Sequence, residues 1–230
     1  HAVEEIKGSE NGVDVALSGG CTLHADMAAL AIGVTPDTAL AKDAGIQLGL
    51  KGSIVVNDRM ETSVPDIYAV GDAVQVKNFV TGEDDLIALA GPANKQGRIV
   101  ADNICGIDSR YGGSQGSSVL KIFDLTAATT GVSEKKARSL GYETDSVVLS
   151  PMSHASYYPG AKDMTMKVVY EKSTLKILGA QIVGYDGVDK RLDVIATAIS
   201  AGMKATELKD LDLAYAPPYS SAKAPVNMAG

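Results

Sequence analysis

The chain has 230 residues, of which 45% are hydrophobic and 21% charged, with no Trp and only two Phe, so its core has to be mostly aliphatic. A formal net charge of −7 and a pI near 5.0 argue against a nucleic-acid partner, which needs a dense Lys/Arg face. No window approaches the roughly 18 apolar residues of a membrane span, so the chain is expected to be soluble, with no membrane partner.

The first strand-like runs are Ala2 to Lys7 and Val13 to Leu17, joined by the turn-rich Gly8-Ser9-Glu10-Asn11-Gly12. Asp26 to Ile32 is a continuous apolar run ending at Gly33 and predicts a buried strand. Thr38 is placed to cap a short helix, Ala39 to Ala44, that stops at Gly45. Further strands are predicted at Ile54 to Val56 and at Ile67 to Val70, the second running straight into Gly71-Asp72. Ile99, Val100 and Ile104 carry helical spacing in a segment from about Ala88 to Ile104.

The polar stretch Gly106 to Ser118 predicts a linker and the main domain boundary. Beyond it come strands at Val119 to Phe123 and through Thr130, then a helix capped by Ser133 and ended by Gly141. Strands follow at Ser146 to Leu149, Thr165 to Tyr170 and Lys176 to Val183. Val188, Leu192, Ile195, Ala196 and Ile199 mark an amphipathic helix that Gly202 terminates. Strands adjacent in sequence pair most readily antiparallel, which predicts an α+β sheet with its helices on one face.

Cys21 and Cys105 have neither CxxC nor metal-ligand spacing, and a chain this long does not need a disulfide framework; a reducing, cytoplasmic setting is expected. The three histidines form no HExxH or HxH group, so no metal is expected. Gly112-Gly113-Ser114-Gln115-Gly116 matches G-x-S-x-G, but a nucleophile elbow needs a strand before the Ser and a helix after it. Here a polar stretch precedes and a strand follows. No P-loop and no G-x-G-x-x-G occurs in the chain.

The most informative string is Thr62-Ser63-Val64-Pro65-Asp66-Ile67-Tyr68-Ala69-Val70-Gly71-Asp72-Ala73. Ligands of open α/β sheets bind at the carboxyl ends of strands. There Gly71 lets backbone approach a ligand, and Asp72 can accept hydrogen bonds from sugar or ribityl hydroxyls. The string resembles the second flavin-binding motif of the two-dinucleotide-domain flavoprotein reductases. In that family the Asp binds the ribityl chain of FAD, so Gly71, Asp72 and Ala73 are implied as cofactor contacts. Ala31-Ile32-Gly33-Val34-Thr35-Pro36-Asp37 resembles the segment that closes the family's NAD(P)H domain. Leu89-Ala90-Gly91-Pro92-Ala93-Asn94-Lys95-Gln96-Gly97-Arg98 resembles its helix aimed at the flavin, where free N–H groups, beginning at Leu89 and Ala90, favour negative charge on the reduced ring.

Four of the nine tyrosines fall in His154-Ala155-Ser156-Tyr157-Tyr158-Pro159-Gly160 and Tyr215-Ala216-Pro217-Pro218-Tyr219-Ser220-Ser221. With Gly187-Val188-Asp189-Lys190-Arg191 and the segment from Ala222 to Gly230, these strings resemble the dimerisation domain of coenzyme A-disulfide reductases and related NADH oxidases. The resemblance implies a homodimer in which Tyr157, with Tyr158 as neighbouring candidate, and Tyr215 reach the partner's active-site cysteine and the thiol of bound coenzyme A. A phenol there can give a hydrogen bond to a leaving thiolate. Ala224 stands where the family usually has Asp, and Thr35 where it usually has Arg.

The resemblance implies residues 1–33 as the end of an NAD(P)H-binding domain, 34–108 as the second part of an FAD-binding domain, and 109–230 as the dimerisation domain. The chain begins at His1 directly in strand-like residues, as a cut inside a larger protein would leave it. The family's N-terminal glycine motif for FAD, its glycine motif for NAD(P)H and its S-x-x-x-C cysteine are not found in this sequence, and Cys21 and Cys105 read as bystander thiols. The parent enzyme is therefore expected to carry a hydride from NAD(P)H to FAD and electrons on to a CoA disulfide, a polysulfide or oxygen, and the chain alone to be inactive. A stand-alone, non-catalytic dimerisation or CoA-binding module is the alternative.

Overall fold

The structure, a computed structural model, describes residues 1–230. It divides into two compact units, His1–Thr35 and Pro36–Gly230.

The first unit is an antiparallel meander of β1 (Val3–Ser9), β2 (Gly12–Leu17) and β3 (Cys21–Ala25) in the order β1-β2-β3. Asp26 to Ile32, expected as a buried strand, is not one. It has no regular structure, and Ile32 is 90% exposed. A continuously apolar strand is buried only between neighbours that supply a ladder on each edge, and no segment of the chain pairs with this one.

In the second unit α1 (Ala39–Asp43) follows Thr38, whose hydroxyl donates to the Gly52 carbonyl at 2.6 Å instead of capping the helix. The two strands expected at 54–56 and 67–70 are reduced to single bridges, Ile54 with Leu48 and Val74, and Tyr68 with Glu61. Ile67 and Val70 remain exposed. The cause is again the lack of flanking strands: Ile67–Val70 has one neighbour, the hairpin around Asn57–Thr62, through Thr62 N–H to Ile67 O and Ala69 N–H to Met60 O. Short strands β4 (Val76–Lys77) and β5 (Asp84–Asp85) pair antiparallel, and α2 spans Ala90–Ile104. The buried side of α2 carries Gln96, Ile99 and Asn103.

The stretch 106–118 is hydrogen-bonded on both sides and is no loose tether. Tyr111 N–H donates to Asp58 O, Ser114 N–H to Lys77 O, and Gln115 O accepts from Gly131 N–H. Then β6 (Ser118–Ile122), β7 (Leu125–Gly131), β8 (Thr144–Leu149), β9 (Met164–Glu171) and β10 (Ile177–Gly184) form one antiparallel sheet, ordered β6-β7-β10-β9-β8. Residues Ala128, Ile182 and Met166 share a register row and are buried with Thr130, Ala180 and Val168 on one face. Along β7 and β10 that face is covered by α4 (Val188–Ser200), which buries Val188, Leu192, Ile195 and Ile199. β7 and β10 approach so closely that a Cβ at Gly179 would lie 2.2 Å from the Val132 carbonyl oxygen, and one at Gly131 equally close to Leu178 O. Only hydrogen fits.

The helices do not keep to one face. α3 (Glu134–Ser139), capped by the Ser133 hydroxyl, holds Thr144 and Lys167 through Arg138 and Glu134, and both belong to the face opposite Ala128 and Ile182. The β7–β8 connection carries α3 past β10 and β9 to the far edge of the sheet, and a polar bond set on the second face holds it there. α5 (Pro225–Ala229) closes the chain against the 3-10 turn Ala205–Asp210. No helix is long and apolar enough to cross a membrane.

Candidate functional site

Two groups of predicted residues take shape in the second unit, and no hydrogen bond joins them. The first is the turn Gly71–Ala73, a single 3-10 turn entered from the extended Val70. Gly71 has φ +84°, which favours glycine over any other residue. The Ala73 carbonyl accepts from Ile54 N–H at 2.8 Å, anchoring the far end of the turn. Asp72 is exposed, with no ion pair and no internal hydrogen bond, so its carboxylate has free acceptors.

Beside this turn α2 begins without a side-chain cap. Leu89 stands at the N-cap, its N–H donates to Ile87 O and its carbonyl accepts from Ala93 N–H. Ala90 and Gly91 are therefore left with N–H groups that nothing in the helix can receive, and Pro92 has none. A second contact, which the sequence motif does not name, locks helix to turn: the Gly71 N–H donates to Gln96 Oε1 at 2.7 Å, and Gln96 is only 1% exposed. Burial raises the pKa of the nearby Tyr111 hydroxyl, and the side chains of Gln96 and Ser114 oppose that shift. Gln96 lies on the buried stripe of Ile99 and Asn103, which marks its burial but not its partner.

A flavin suits this donor set. The free carboxylate of Asp72 matches ribityl hydroxyls, which donate, and the uncapped N–H groups of Ala90 and Gly91 match carbonyl and anionic ring atoms, which accept.

The second group is the tyrosines. The Tyr157 and Tyr215 hydroxyls are 3.0 Å apart although 58 residues separate them in sequence. Both rings are exposed, Tyr157 75% and Tyr215 46%. Their hydrogen bond is the largest cause that raises the Tyr215 pKa above the usual phenol value. Either hydroxyl can be the donor, and the pair keeps one further proton to offer outward. Tyr158 is not part of the pair: its ring lies edge-on to His154, centroids 5.9 Å apart. The loops that carry the pair are zipped by Ala155 N–H, which donates to Ser220 O at 3.0 Å and Pro217 O at 3.3 Å.

Ser114, of the G-x-S-x-G match, lies in a bridge with Asn78. The cleft beside it carries Lys95, Arg98 and Arg110 and neither His nor carboxylate, so no base is at hand for its hydroxyl. Cys21 and Cys105 are both free and exposed.

A dinucleotide-type turn and helix start, followed by an antiparallel α+β sheet, give the chain the modular build of a two-part oxidoreductase fold. The chain belongs to the pyridine nucleotide-disulphide oxidoreductase family, whose model matches residues 1–97 and whose dimerisation-domain model matches residues 117–225. It is 36% identical over 221 residues to the coenzyme A disulfide reductase of Staphylococcus aureus (strain bovine RF122 / ET3-1), covering 96% of this chain and 50% of that protein. It is 35% identical over 215 residues to the CoA-dependent NAD(P)H sulfur oxidoreductase of Pyrococcus furiosus, 94% of this chain and 48% of that one. Among solved structures it resembles reduced Bacillus anthracis CoADR-RHD, with TM-score 0.89, 53% identity and 96% and 40% of the two chains covered. The NAD-dependent persulfide reductase from A. fulgidus gives TM-score 0.90 at 40% identity over 98% and 42%. The chain spans about half the length of the curated relatives it matches.

Proposed function

We propose that this chain supplies the ribityl-facing turn and the thiol-facing phenols of an FAD-dependent NAD(P)H oxidoreductase that acts as a homodimer on a coenzyme A disulfide or persulfide. Residues 1–33 close its NAD(P)H domain, 34–108 complete its FAD domain, and 109–230 form its dimerisation domain. The Tyr157–Tyr215 hydroxyl pair carries this reading. Two phenols on zipped, exposed loops, sharing one hydrogen bond, leave one proton to offer outward. Support for the substrate class comes from the relatives named as coenzyme A disulfide, CoA-dependent sulfur and persulfide reductases.

Bound FAD supplies the electron relay between nicotinamide and sulfur. Asp72 holds the ribityl hydroxyls, and the N–H groups at the start of α2 stabilise negative charge on the ring. The 15 residues of α2 give that helix start a dipole of full strength. At the sulfur end a thiolate attacks the disulfide, the S–S bond breaks, and the departing sulfur takes the electron pair. Tyr157 donates a hydrogen bond to that sulfur, and Tyr215 orients Tyr157 from behind.

The test is stopped-flow measurement of both half-reactions in the full-length enzyme with Tyr157→Phe and Tyr215→Phe. The thiol half-reaction is expected to slow while flavin reduction by NAD(P)H holds its rate. Equal slowing of both, or of neither, would make the tyrosines structural.

A further inference from the structure

We propose that Arg191 is the positioning residue of the phenol pair: one buried guanidinium grips both tyrosine loops and so sets the spacing of the Tyr157 and Tyr215 hydroxyls. This rests on the reading of that pair as the thiol-facing site.

Arg191 lies in the first turns of α4 and is 4% exposed. It has no carboxylate within ion-pair distance. Its partners are three backbone carbonyls from three segments: Gly187 of its own helix start at 3.0 Å, Ser153 at 2.6 Å and Tyr219 at 3.0 Å. Ser153 stands four residues before Tyr157, and Tyr219 four after Tyr215. A cation without a counter-charge is disfavoured by burial, and burial indeed lowers the Arg191 pKa, with Asp186 and Asp189 opposing. What the guanidinium gains in return is geometry. Its planar fork can bind carbonyls along several directions at once, which a lysine ammonium on its single point cannot reproduce.

The base of this grip is rigid, because Leu192, Ile195 and Ile199 of the same helix are buried against the sheet. The grip is also local to the loops. Ser153, His154 and Ala155 are buried while Tyr157 is exposed, so the order imposed at Ser153 is handed outward over four residues. The His154 ring reinforces it, bonding the Ser153 hydroxyl at 3.1 Å and the Pro159 carbonyl at 3.3 Å. Neither tyrosine belongs to a helix or strand. The Ala155 N–H already ties the loops at Ser220 and Pro217, and the guanidinium adds a second tie at Ser153 and Tyr219, which matters because each free backbone residue resists ordering.

The experiment uses the 230-residue chain with 13C-labelled tyrosine rings and the variants Arg191→Met and Arg191→Lys. Both are expected to keep the amide signals of β7, β9, β10 and α4. Arg191→Met should lose the cross-peak between the Tyr157 and Tyr215 rings, and the Tyr215 titration should move down toward that of a free phenol. Arg191→Lys should fall between it and the parent. An unchanged cross-peak and titration in folded Arg191→Met overturns the proposal. Unfolding of both variants also overturns it, because Arg191 would then serve the fold as a whole. The readout is independent of the thiol reading: Tyr215→Phe without kinetic effect refutes that reading while leaving these signals to judge Arg191.

Discussion

Tyr157 and Tyr215 meet because their backbones are anchored before their side chains reach solvent. Replacing Tyr215 by Phe keeps the ring and removes one exposed hydrogen bond, worth about 1 kcal/mol or less in stability. In the full-length enzyme the thiol half-reaction should nevertheless slow roughly ten- to a thousandfold, the range of a positioned proton donor. Tyr157→Phe should match it, and the double variant should fall short of the product of the two, because both phenols serve one sulfur. Stopped-flow rates check all three. Gln96 has a different role at the other group. Its Oε1 is the acceptor for Gly71 N–H, so Gln96→Leu leaves that donor unpaired and should cost about 1–3 kcal/mol by urea denaturation. The motif string made Gly71 and Asp72 legible, since a Gly and an acid after an apolar run have a reason to be there. Gln96 and Arg191 were harder to read: both lie on buried helical stripes, and only the carbonyls and N–H groups that other segments bring to them explain a polar side chain there.

At the scale of elements, the five-stranded sheet was read closely and the dinucleotide-domain strands were not. β6 to β10 have their partners within the chain, so period and turn signals decide their fate. Residues 26–32, 54–56 and 67–70 carry strand-like composition, but a strand is a relation to neighbours, and composition cannot supply them. α3 escaped the one-face expectation because its position depends on Glu134, which accepts from Lys167 of the sheet and pairs with Arg138. The hydrogen bond from Lys167 is the largest cause that lowers the Glu134 pKa. A carboxyl lowered in the folded state adds stability above its unfolded value and loses it as pH falls through the folded one. α3 should therefore loosen only below the ordinary glutamate range of about 4.3, seen as faster hydrogen exchange of residues 134–139. Glu134→Gln should remove that acid step and loosen α3 at neutral pH. The β7–β10 contact gives a sharper test. Gly179→Ala drives a methyl into the Val132 carbonyl and should cost about 1–3 kcal/mol or more, whereas Gly202→Ala, with open space around it, should cost less, all of it from its φ of +70°.

For the whole molecule the question is what each surface is for. α4 buries its apolar stripe against its own sheet, so the amphipathic pattern of Val188 to Ile199 is satisfied within the chain. Apolar surface is left elsewhere. Leu120, Val148 and Val183 are exposed on the sheet face opposite α4, and Val194, Ala201, Met203, Leu211 and Leu213 line a groove beside it. A stable dimer interface buries about 1,200–2,000 Å² in total, and these exposed apolar residues after Tyr111 are where such an interface would form. The chain is expected to sediment as a dimer at micromolar concentration, and a monomer there would refute the assignment of 109–230 as a dimerising unit. FAD binding by the same chain should be weak, for a reason of charge. Asp72 meets only the ribityl hydroxyls, and the start of α2 meets only the ring. The pyrophosphate carries the cofactor's negative charge and needs several converging N–H groups, which a glycine-rich loop opening a helix provides. The sequence has no G-x-G-x-x-G string to supply them. Gel filtration of the chain with excess FAD should give colourless protein, and Asp72→Asn should leave that result unchanged. In the full-length enzyme, where the ribityl contact is made, the same substitution should weaken flavin retention measurably. Stoichiometric yellow protein from the chain alone would mean that turn and helix start hold the flavin without a phosphate cradle, and that the site is more complete than its donor set implies.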